Sequence, residues 1–441
     1  MSNTGYIDLQ QAFGLKQKPN STQNTEKDYL GTQLGWTYAD ALARFPNYVG
    51  RLTNDGWTNA QVLEMNYFTC AWNEAQLRAP TTQYTSRAIH IPPGKWWATS
   101  NLMMGQNTMQ GSGSAWNFGY GGGCQLVLDP VNYRSFVPPL PDGRTQRHIL
   151  TAWSYLLGAS SGYSHHTKVI DLALEGDKGD FCDAGVFSTG CLLYAPGEVS
   201  IIEEVQANNF NDFGICLDSL AAPARVRHLS TFFNGIGGLG VLNQTLGTIE
   251  IDGISGDVNP YLVYAPDGGE ITLISPKLEA RGAVNSFGVP GKGQMLLLVG
   301  YYFHVDINGG QCYAHDDIQI DSVIRIEGPI NNSTLRVRNT NIMGSGGGGN
   351  NPSYVHAIHD VDQNKKWELG GVNLTRATTD FYWRHNSGAG TQTCVDQDGV
   401  TLGSISATED TRQPFREVGD PAWDQNNPPF FGYDVIYGTP Y

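Results

Sequence analysis

The chain has little charge, no long apolar run and no recognisable leader. Only 16% of its 441 residues are charged. No apolar run reaches the ~18 residues of a membrane-spanning helix, so the sequence predicts no transmembrane segment. The first residues, Met1-Ser-Asn-Thr-Gly-Tyr6, lack the basic and apolar regions of a signal peptide. We therefore expect a protein that folds in a cytoplasm.

The chain has few cysteines, and their spacing matches no paired-cysteine motif. There are seven cysteines, an odd number, and none forms a C-x-x-C pair or a zinc-binding spacing. A disulfide framework is therefore not predicted, which agrees with folding in a reducing compartment. We predict no metal site and no other cofactor, since the phosphate-loop, G-x-S-x-G and H-E-x-x-H patterns are also missing.

The net charge of −15 restricts the partners. Nucleic acids are bound by clustered lysine and arginine, so a nucleic-acid partner is not expected. Polyanionic polysaccharides are repelled in the same way unless calcium bridges the charges. A neutral or modified polysaccharide is the better match to this composition.

What the chain does have is a repeated strand pattern. From residue 168 onward, an apolar-alternating strand followed by a polar corner recurs eight times. Its first apolar residues lie 22 to 34 positions apart: Val169, Ile201, Val226, Ile249, Ile271, Val305, Leu335 and Trp367. Both a β-sandwich and a coil of parallel strands have strands at such spacing. Hairpin turns such as Asn-Gly are largely missing, which favours the coil.

The segment Ile89–Ser114 points to the same fold. It contains a short apolar strand, a Pro-Pro-Gly turn, the aromatic pair Trp96-Trp97, a further strand and a Gly-Ser-Gly turn. Proline ends a strand, and glycine permits the sharp corners that follow. This segment resembles the start of the right-handed parallel β-helix in pectin-lyase-like proteins and phage tailspikes. The resemblance implies an all-β solenoid with an N-terminal helical cap, and it leaves open whether the chain is an enzyme.

Four regions follow from this pattern. Residues 1–35 are polar and are expected to form an arm that anchors the protein to a particle and adds little stability to the β-helix. Residues 36–85 have helical periodicity, with Thr58 and Gln61 spaced as a capping box. Residues 86–402 are assigned to the β-helix. The aromatic residues 403–441 are expected to form an irregular tail that packs on the solenoid or on a neighbouring subunit.

Alternation along the strands predicts an outward ladder of charged side chains. Carboxylates on nearby turns would approach the separation of ~5–9.5 Å used in glycoside hydrolysis. The candidate catalytic residues are Glu204, Glu250 and Asp252. The alternative interpretation is a solvated ladder that only keeps this face soluble.

Aromatic residues near the glycine-rich corners are candidate sugar platforms, because rings bury a large area at small entropic cost. These glycan-binding candidates are Trp96, Trp97, Trp116 and Tyr120. Packing in the core or between subunits is the alternative.

The sequence thus predicts a bacteriophage spike- or fibre-type virion protein that attaches to host-surface polysaccharide. It would fold in the host cytoplasm, form a homotrimer and contact other virion proteins through its arm. Two alternatives stay open: a polysaccharide lyase or glycoside hydrolase of the β-helix type, and a purely structural capsid or tail decoration protein.

Overall fold

The computed structural model describes most of the chain up to residue 344 and short strands beyond it. The described ranges are 6–15, 27–78, 88–105, 108–111, 113, 123–140, 142–152, 166–176, 185–196, 200–220, 222–243, 247–280, 295–300, 303–314, 320–327, 334–344, 354–360, 366–370, 373–375, 382–385, 391–395 and 401–406. They fall into two compact units. The first comprises Met1–Asp177, Gly185–Phe210 and Gly214–Leu229, and the second comprises the remainder.

The described part of the first unit contains five helices: α1 (Leu9–Phe13), α2 (Tyr38–Arg44), α3 (Pro46–Asn54), α4 (Asn59–Leu63) and α5 (Tyr67–Arg78). Thr58 caps α4 as the sequence predicts. Its hydroxyl accepts from the backbone N–H of Gln61, whose side chain accepts from the Thr58 N–H.

The strands of the first unit are parallel. They are β1 (Tyr6–Asp8), β2 (Ala88–His90), β3 (Gly94–Ala98), β4 (Leu102–Met104), β5 (Thr108–Gln110), β6 (Cys124–Leu128), β7 (Thr145–Ala152), β8 (Lys168–Glu175), β9 (Val186–Tyr194), β10 (Ser200–Asn208), β11 (Phe213–Asp218) and β12 (Ala224–Arg227). One sheet contains the order β4-β7-β9-β11, and β8 pairs with β5, β6 and β10 in another.

The second unit has the regular part of the solenoid. Its strands are β13 (Ser230–Phe232), β14 (Gly237–Leu242), β15 (Thr248–Asp252), β16 (Ser255–Asp257), β17 (Tyr261–Ala265), β18 (Gly269–Ile274), β19 (Lys277–Ala280), β20 (Met295–Gly300), β21 (Phe303–Asn308), β22 (Gln311–Ala314), β23 (Ile320–Glu327), β24 (Thr334–Arg338), β25 (Asn341–Gly344), β26 (Tyr354–Asp360), β27 (Lys366–Gly370), β28 (Asn373–Thr375), β29 (Tyr382–His385), β30 (Thr391–Val395) and β31 (Thr401–Ser406).

Each turn of the second unit adds one strand to each of three parallel columns. The columns are β15-β18-β21-β24-β27, β13-β16-β19-β22-β25-β28 and β14-β17-β20-β23-β26-β29. A chain that returns to the same column after every third strand is a parallel β-helix. This arrangement confirms the predicted all-β solenoid. Only β30 and β31 among the strand pairs described here are antiparallel.

The predicted register of the core is confirmed in the second unit. Ile249, Ile271, Val305 and Leu335 occupy successive positions in one column, and each is at most 3% exposed. In the first unit the predicted alignment is wrong by one residue. Ile202, rather than Ile201, lies opposite Val169 and Val226 and is buried.

In several of the described turns, a left-handed residue forms the corner between the first and second strand. In the second unit these residues are Gly253, Ser275, Gly309 and Asn339, with φ between 49° and 76°. In the first unit Asp171, Glu204 and His228 have the same conformation. Glycine, asparagine, aspartate and histidine enter this region more readily than other residues, so the fold overrides local preference most clearly at Ser275 and Glu204.

Helix α5 covers the edge of the first turn. Its side chains hydrogen bond to the unpaired backbone of that turn. Asn73 accepts from the Met103 N–H at 2.8 Å and donates to the Asn101 carbonyl at 3.0 Å, and Trp72 donates to the Met103 carbonyl at 2.8 Å. An open strand edge is a template for aggregation, and here the helix occupies it.

The segment 6–15 differs from the predicted polar arm. β1 pairs in parallel with β2, and α1 buries Leu9 and Phe13. Asp8 caps α1 by accepting from the N–H groups of Gln10 and Gln11. This part of the N-terminal region is therefore built into the first unit, because two apolar residues at helical spacing offset the cost of ordering it. The predicted tail, 403–441, lies almost wholly outside the described residues.

Among the helices described, none is long and apolar enough to cross a membrane.

Candidate functional site

A polar groove of about 220 Å³ opens on the outward face of the second unit. It crosses β15, β18, β21 and β24, so that four successive turns contribute to it. Its polar lining consists of Thr248, Glu270, Thr272, His304, Asp306, Thr334 and Arg336, above the apolar residues Ile271 and Val305. A concave surface with a few convergent polar groups is the usual form of a ligand site.

The strand register brings these side chains together. Glu270, His304 and Thr334 lie at one position of successive strands, and Thr272, Asp306 and Arg336 lie two residues further on. Side chains two residues apart share a face, and neighbouring strands are ~4.8 Å apart. The groove is therefore a patch of two adjacent columns of outward side chains.

Asp306 is held by two arginines of the next turn. Its Oδ2 atom accepts from Nη2 of Arg338 at 2.5 Å and lies 3.6 Å from Nη1 of Arg336. The second oxygen, Oδ1, is buried, and no hydrogen-bond partner for it exists in the described part of the chain. The two arginines therefore fix the position of the Asp306 carboxyl group on β21.

His304 provides a second polar contact in the groove. Its Nδ1 atom lies 2.7 Å from the Thr334 hydroxyl. Glu270 is exposed on the preceding strand, directly opposite His304 in the register. The groove thus offers two carboxylates, an imidazole, a guanidinium and three threonine hydroxyls to a ligand.

Two of the predicted catalytic residues lie beside this groove and do not line it. Glu250 is opposite Thr272 and Asp252 is opposite Ile274, both on the outward face of β15. Two positions on one strand face are separated by roughly 6.5 Å along the backbone. Their assignment as a catalytic pair stays a prediction.

The third predicted catalytic residue, Glu204, lies in the first unit at a left-handed corner. Its Oε1 atom is 2.6 Å from Nδ1 of His228, and both side chains are more than half exposed. A solvent-exposed contact of this kind contributes little to stability. The pair is chemically a candidate for proton transfer, although the carboxylate is already engaged.

The structure describes two of the four predicted glycan-binding aromatic residues, Trp96 and Trp97, and these two lie on opposite faces of β3. Trp96 is only 9% exposed, stacks on Phe68 at 5.2 Å and donates its indole N–H to the Pro92 carbonyl at 2.9 Å. Its ring therefore serves core packing, because strand alternation turns it inward. Trp116 and Tyr120 lie outside the described residues.

Trp97 points to the other face of β3 and is half-buried. The ammonium groups of Lys27 and Lys95 lie 4.2 Å and 4.7 Å from the centre of its ring. Cations are attracted to the ring face that a sugar would use. A sugar on Trp97 would therefore have to share the ring with these lysines.

A network of hydrogen bonds fixes Lys27 above Trp97. Asp129 accepts from Lys27 at 2.9 Å and from the Tyr29 hydroxyl at 2.5 Å. Burial by itself raises the pKa of Asp129, but the hydrogen bonds from Tyr29, Lys27 and two backbone N–H groups outweigh it and leave the pKa below its usual range. Burial also raises the pKa of Tyr29, and the hydrogen bond to Asp129 adds to that rise.

Glu175 carries a perturbed carboxyl group near the same face. Burial raises its pKa, against the opposing effects of the Asn209 hydrogen bond, the Asn208 amide and the Lys95 charge. Its position follows from the register, since Val127 separates it from Trp97 in the strand order β3-β6-β8.

The residues that line the groove were not chosen as site residues from the sequence. The signal available in the sequence was the repeated strand pattern. Its first and third positions are occupied by Glu270 and Thr272, by His304 and Asp306, and by Thr334 and Arg336. Outward polar residues at those positions also describe a plain solvated face, so the sequence does not separate a groove from a flat surface.

In the described ranges, no three histidine, cysteine, aspartate or glutamate side chains gather in a way that would hold a metal ion. The described cysteines Cys70, Cys124, Cys191, Cys216 and Cys312 are all buried, and none of them forms a disulfide.

No protein-family model matches the chain, and no curated protein matches its sequence. Solved structures match weakly. The full-length tailspike protein 2 from Escherichia coli O157:H7 bacteriophage CAB120 is 9% identical, with a TM-score of 0.36 over 66% of this chain and 42% of that one. The chain therefore spans less than half of that tailspike.

Two enzyme structures match at a similar level. The A-module of a mannuronan C-5 epimerase from Azotobacter vinelandii is 13% identical, with a TM-score of 0.36 over 70% of this chain and 94% of that one. The catalytic unit of an α-1,3-glucanase from Streptomyces thermodiastaticus is 17% identical, with a TM-score of 0.38 over 75% and 65%. The fold assignment rests on the strand register and not on these matches.

Proposed function

We propose that this chain is a spike- or fibre-type virion protein of a bacteriophage and that it binds host-surface polysaccharide in the groove between β15 and β24. The single observation that carries the proposal is the polar groove across four turns. Sugar hydroxyls both donate and accept hydrogen bonds. The groove supplies an acceptor on Glu270, donors on Arg336, and groups of both kinds on His304 and the threonines.

The geometry of a solenoid suits a chain-like ligand. Equivalent outward positions repeat at ~4.8 Å along the strand columns, so a polymer lying across the strands meets a similar surface at each step. The resemblance of Ile89–Ser114 to phage tailspikes supports the virion assignment. Homotrimer formation and contact with other virion proteins through the N-terminal region belong to the same proposal.

The binding proposal is tested with the purified full chain and a panel of bacterial capsular polysaccharides immobilised on a sensor. We expect at least one polysaccharide to bind, and Thr272→Trp to abolish that binding by filling the groove. Gln311→Trp places the same side chain at an exposed position of β22 and should bind normally. If both variants bind equally well, the binding site lies elsewhere on the protein. If the protein binds no polysaccharide and no phage-sensitive cell, the proposed function is wrong.

A second candidate function, glycoside hydrolysis, is favoured by one observation: Glu270 and Asp306 are diagonal neighbours in the same groove. Hydrolysing glycosidases use two carboxyl groups on either side of the scissile bond. Incubation of the bound polysaccharide with the protein should then release reducing ends, and Glu270→Gln should stop the release while binding persists. An unchanged polysaccharide after long incubation leaves attachment as the function.

A further inference from the structure

The strands at the two ends of the groove carry outward side chains of opposite charge. On β15 and β18 the outward side chains include Glu250, Asp252 and Glu270, with no arginine or lysine among the outward residues of these two described strands. On β24 the outward side chains include Arg336 and Arg338. The only acidic group described between the arginines and the acidic end is Asp306. A ligand is therefore offered a cationic contact at one end of the groove and anionic contacts at the other.

Arg336 can contact a new anion while Asp306 stays paired with Arg338. Its contact with Asp306 is 3.6 Å long, beyond hydrogen-bond distance, and 47% of its side chain is exposed. Asp306 keeps the closer contact with Arg338 at 2.5 Å when the Arg336 guanidinium turns toward a ligand. A planar guanidinium binds carboxylate or phosphate oxygens in pairs, which gives both affinity and orientation.

The opposite end excludes a second anion. Glu270 is exposed at the groove, and Glu250 and Asp252 lie beside it, so a densely charged polymer would meet like charge within one or two turns. The net charge of −15 adds a repulsion that acts at longer range. The volume of about 220 Å³ is below the ~300–1,000 Å³ of sites that enclose a drug-sized molecule, so the groove holds only a short part of a chain.

We propose that the groove selects polysaccharides in which an isolated acidic group, a carboxylate or a phosphate, is flanked by neutral sugars. Arg336 binds the acidic group, and Glu270 with the threonines accepts and donates hydrogen bonds to the hydroxyls of the neutral neighbours. This inference rests on the proposed binding function and adds the substrate class to it. Neutral polymers lack the anion for Arg336, and polyanions are repelled by Glu270.

The test uses the polysaccharide that binds in the panel and the same material after chemical reduction of its carboxyl groups to alcohols. Saturation-transfer NMR with glucuronate, glucose 6-phosphate and glucose supplies the second readout and distinguishes carboxylate from phosphate. We expect reduction, or dephosphorylation of a phosphate-bearing polymer, to weaken binding about tenfold or more, which corresponds to losing one charge-assisted hydrogen-bonded pair. Glucuronate or glucose 6-phosphate, and not glucose, should give a signal.

Arg336→Ala should cause the same loss of affinity, with Arg336→Lys intermediate because a lysine keeps the charge but not the paired geometry. Arg225→Ala removes an exposed arginine of β12 and should bind as the parent does. Unchanged melting temperatures show that the variants are folded.

The outcomes separate the two proposals. If the native and the carboxyl-reduced or dephosphorylated polymers bind equally well, or if the bound polymer is neutral, attachment stands and the acidic-group inference is overturned. If Arg336→Ala binds normally, the inference is also overturned. If neither form of any polymer binds, the proposed function itself fails.

Discussion

At the scale of single residues, the glycines of the Gly-Ser-Gly turn have different roles. Gly113 has a φ of 108°, where glycine is favoured. Gly111 does not have a positive φ. A Cβ atom on Gly111 would instead lie 2.1 Å from the backbone oxygen of Asp171, on β8 of the following turn. The residue is therefore required by the close approach of two backbones.

The prediction is that Gly111→Ala destabilises the protein by about 3 kcal/mol, the upper part of the range for overpacking, because the obstacle is backbone and cannot rotate away. Gly50→Ala is the matched control. Gly50 lies inside α3, where the nearest atom to a new Cβ is 4.0 Å away, so alanine should stabilise by up to ~1 kcal/mol. Thermal or urea unfolding measures both, and similar changes of the same sign would contradict the close-approach argument.

The buried residue His148 should make the stability of the protein depend on pH. It is fully buried on β7, where its Nε2 atom lies 3.0 Å from Oε1 of Gln146 and its ring packs edge-on against Phe187. Burial lowers its pKa to about 3. In the unfolded chain the pKa is ~6.5, so between these values the unfolded state binds a proton that the folded state does not.

The contribution of the buried, neutral His148 ring to the free energy of unfolding is therefore complete above pH ~6.5, and it is lost as the pH falls toward 3. We expect the free energy of unfolding of the parent to decrease, relative to His148→Phe, by ~1.4 kcal/mol per pH unit between pH 6 and 5. Urea unfolding at several pH values measures this difference. Parallel pH profiles for the two proteins would show that His148 is not the titrating group.

At the scale of elements, the N-terminal segment is the clearest difference between expectation and structure. β1 extends the parallel sheet beyond β2, and α1 packs Phe13 against Phe45 at a centroid distance of 6.1 Å. The Phe13 carbonyl also accepts from the Tyr67 hydroxyl at 2.5 Å. This segment closes the start of the first unit together with α5.

Deleting residues 1–15 should therefore lower the melting temperature and expose the edge of β2, contrary to the expectation that the arm adds little stability. Losing two buried side chains, Leu9 and Phe13, should cost several kcal/mol at ~1.5–3 kcal/mol each. Deleting residues 1–5 alone is the control and should leave β1 in place. A melting temperature equal to that of the parent for the longer deletion would restore the original expectation.

The parts of the fold that could be predicted are those with a strict alternation. Ile249 and Ile251 are separated by one polar residue, so their inward direction is unambiguous. At Ile201-Ile202 two apolar residues are adjacent, and the pattern does not say which one points inward. The packing of the N-terminal segment could not be predicted because Leu9 and Phe13 are surrounded by polar residues in the sequence. The groove could not be predicted because its side chains come from strands about 30 residues apart in the sequence. Each of these side chains by itself is typical of a solvated surface.

At the scale of the whole molecule, the homotrimer stays a prediction. Among the described residues, the large apolar side chains that are exposed are Leu34, Val131 and Tyr194. Three exposed apolar side chains do not by themselves make an apolar interface. The prediction therefore depends on the aromatic residues 403–441, nearly all of which lie outside the described ranges.

Light scattering at micromolar concentration should give three times the chain mass of 48.1 kDa for the full chain and one chain mass for a variant ending at residue 402. The aromatic tail supplies the buried area in this view, so its removal should dissociate the subunits. A mass of 48.1 kDa for the full chain would exclude the trimer, and a trimeric truncated variant would place the interface elsewhere.

The unequal length of the turns has a consequence for how the chain folds. Ile249 and Ile271 are 22 residues apart and pair in one column, whereas Ile271 and Val305 are 34 residues apart. Closing the shorter loop costs about 0.4 kcal/mol less entropy, and the shorter turn needs no insertion to be ordered. Contacts in a solenoid join only neighbouring turns, so folding can start at any turn and propagate. The nucleus in the second unit should therefore form between β15 and β18, with the longer turns added afterwards, and kinetic φ-values near one for Ile249→Val and Ile271→Val would identify it.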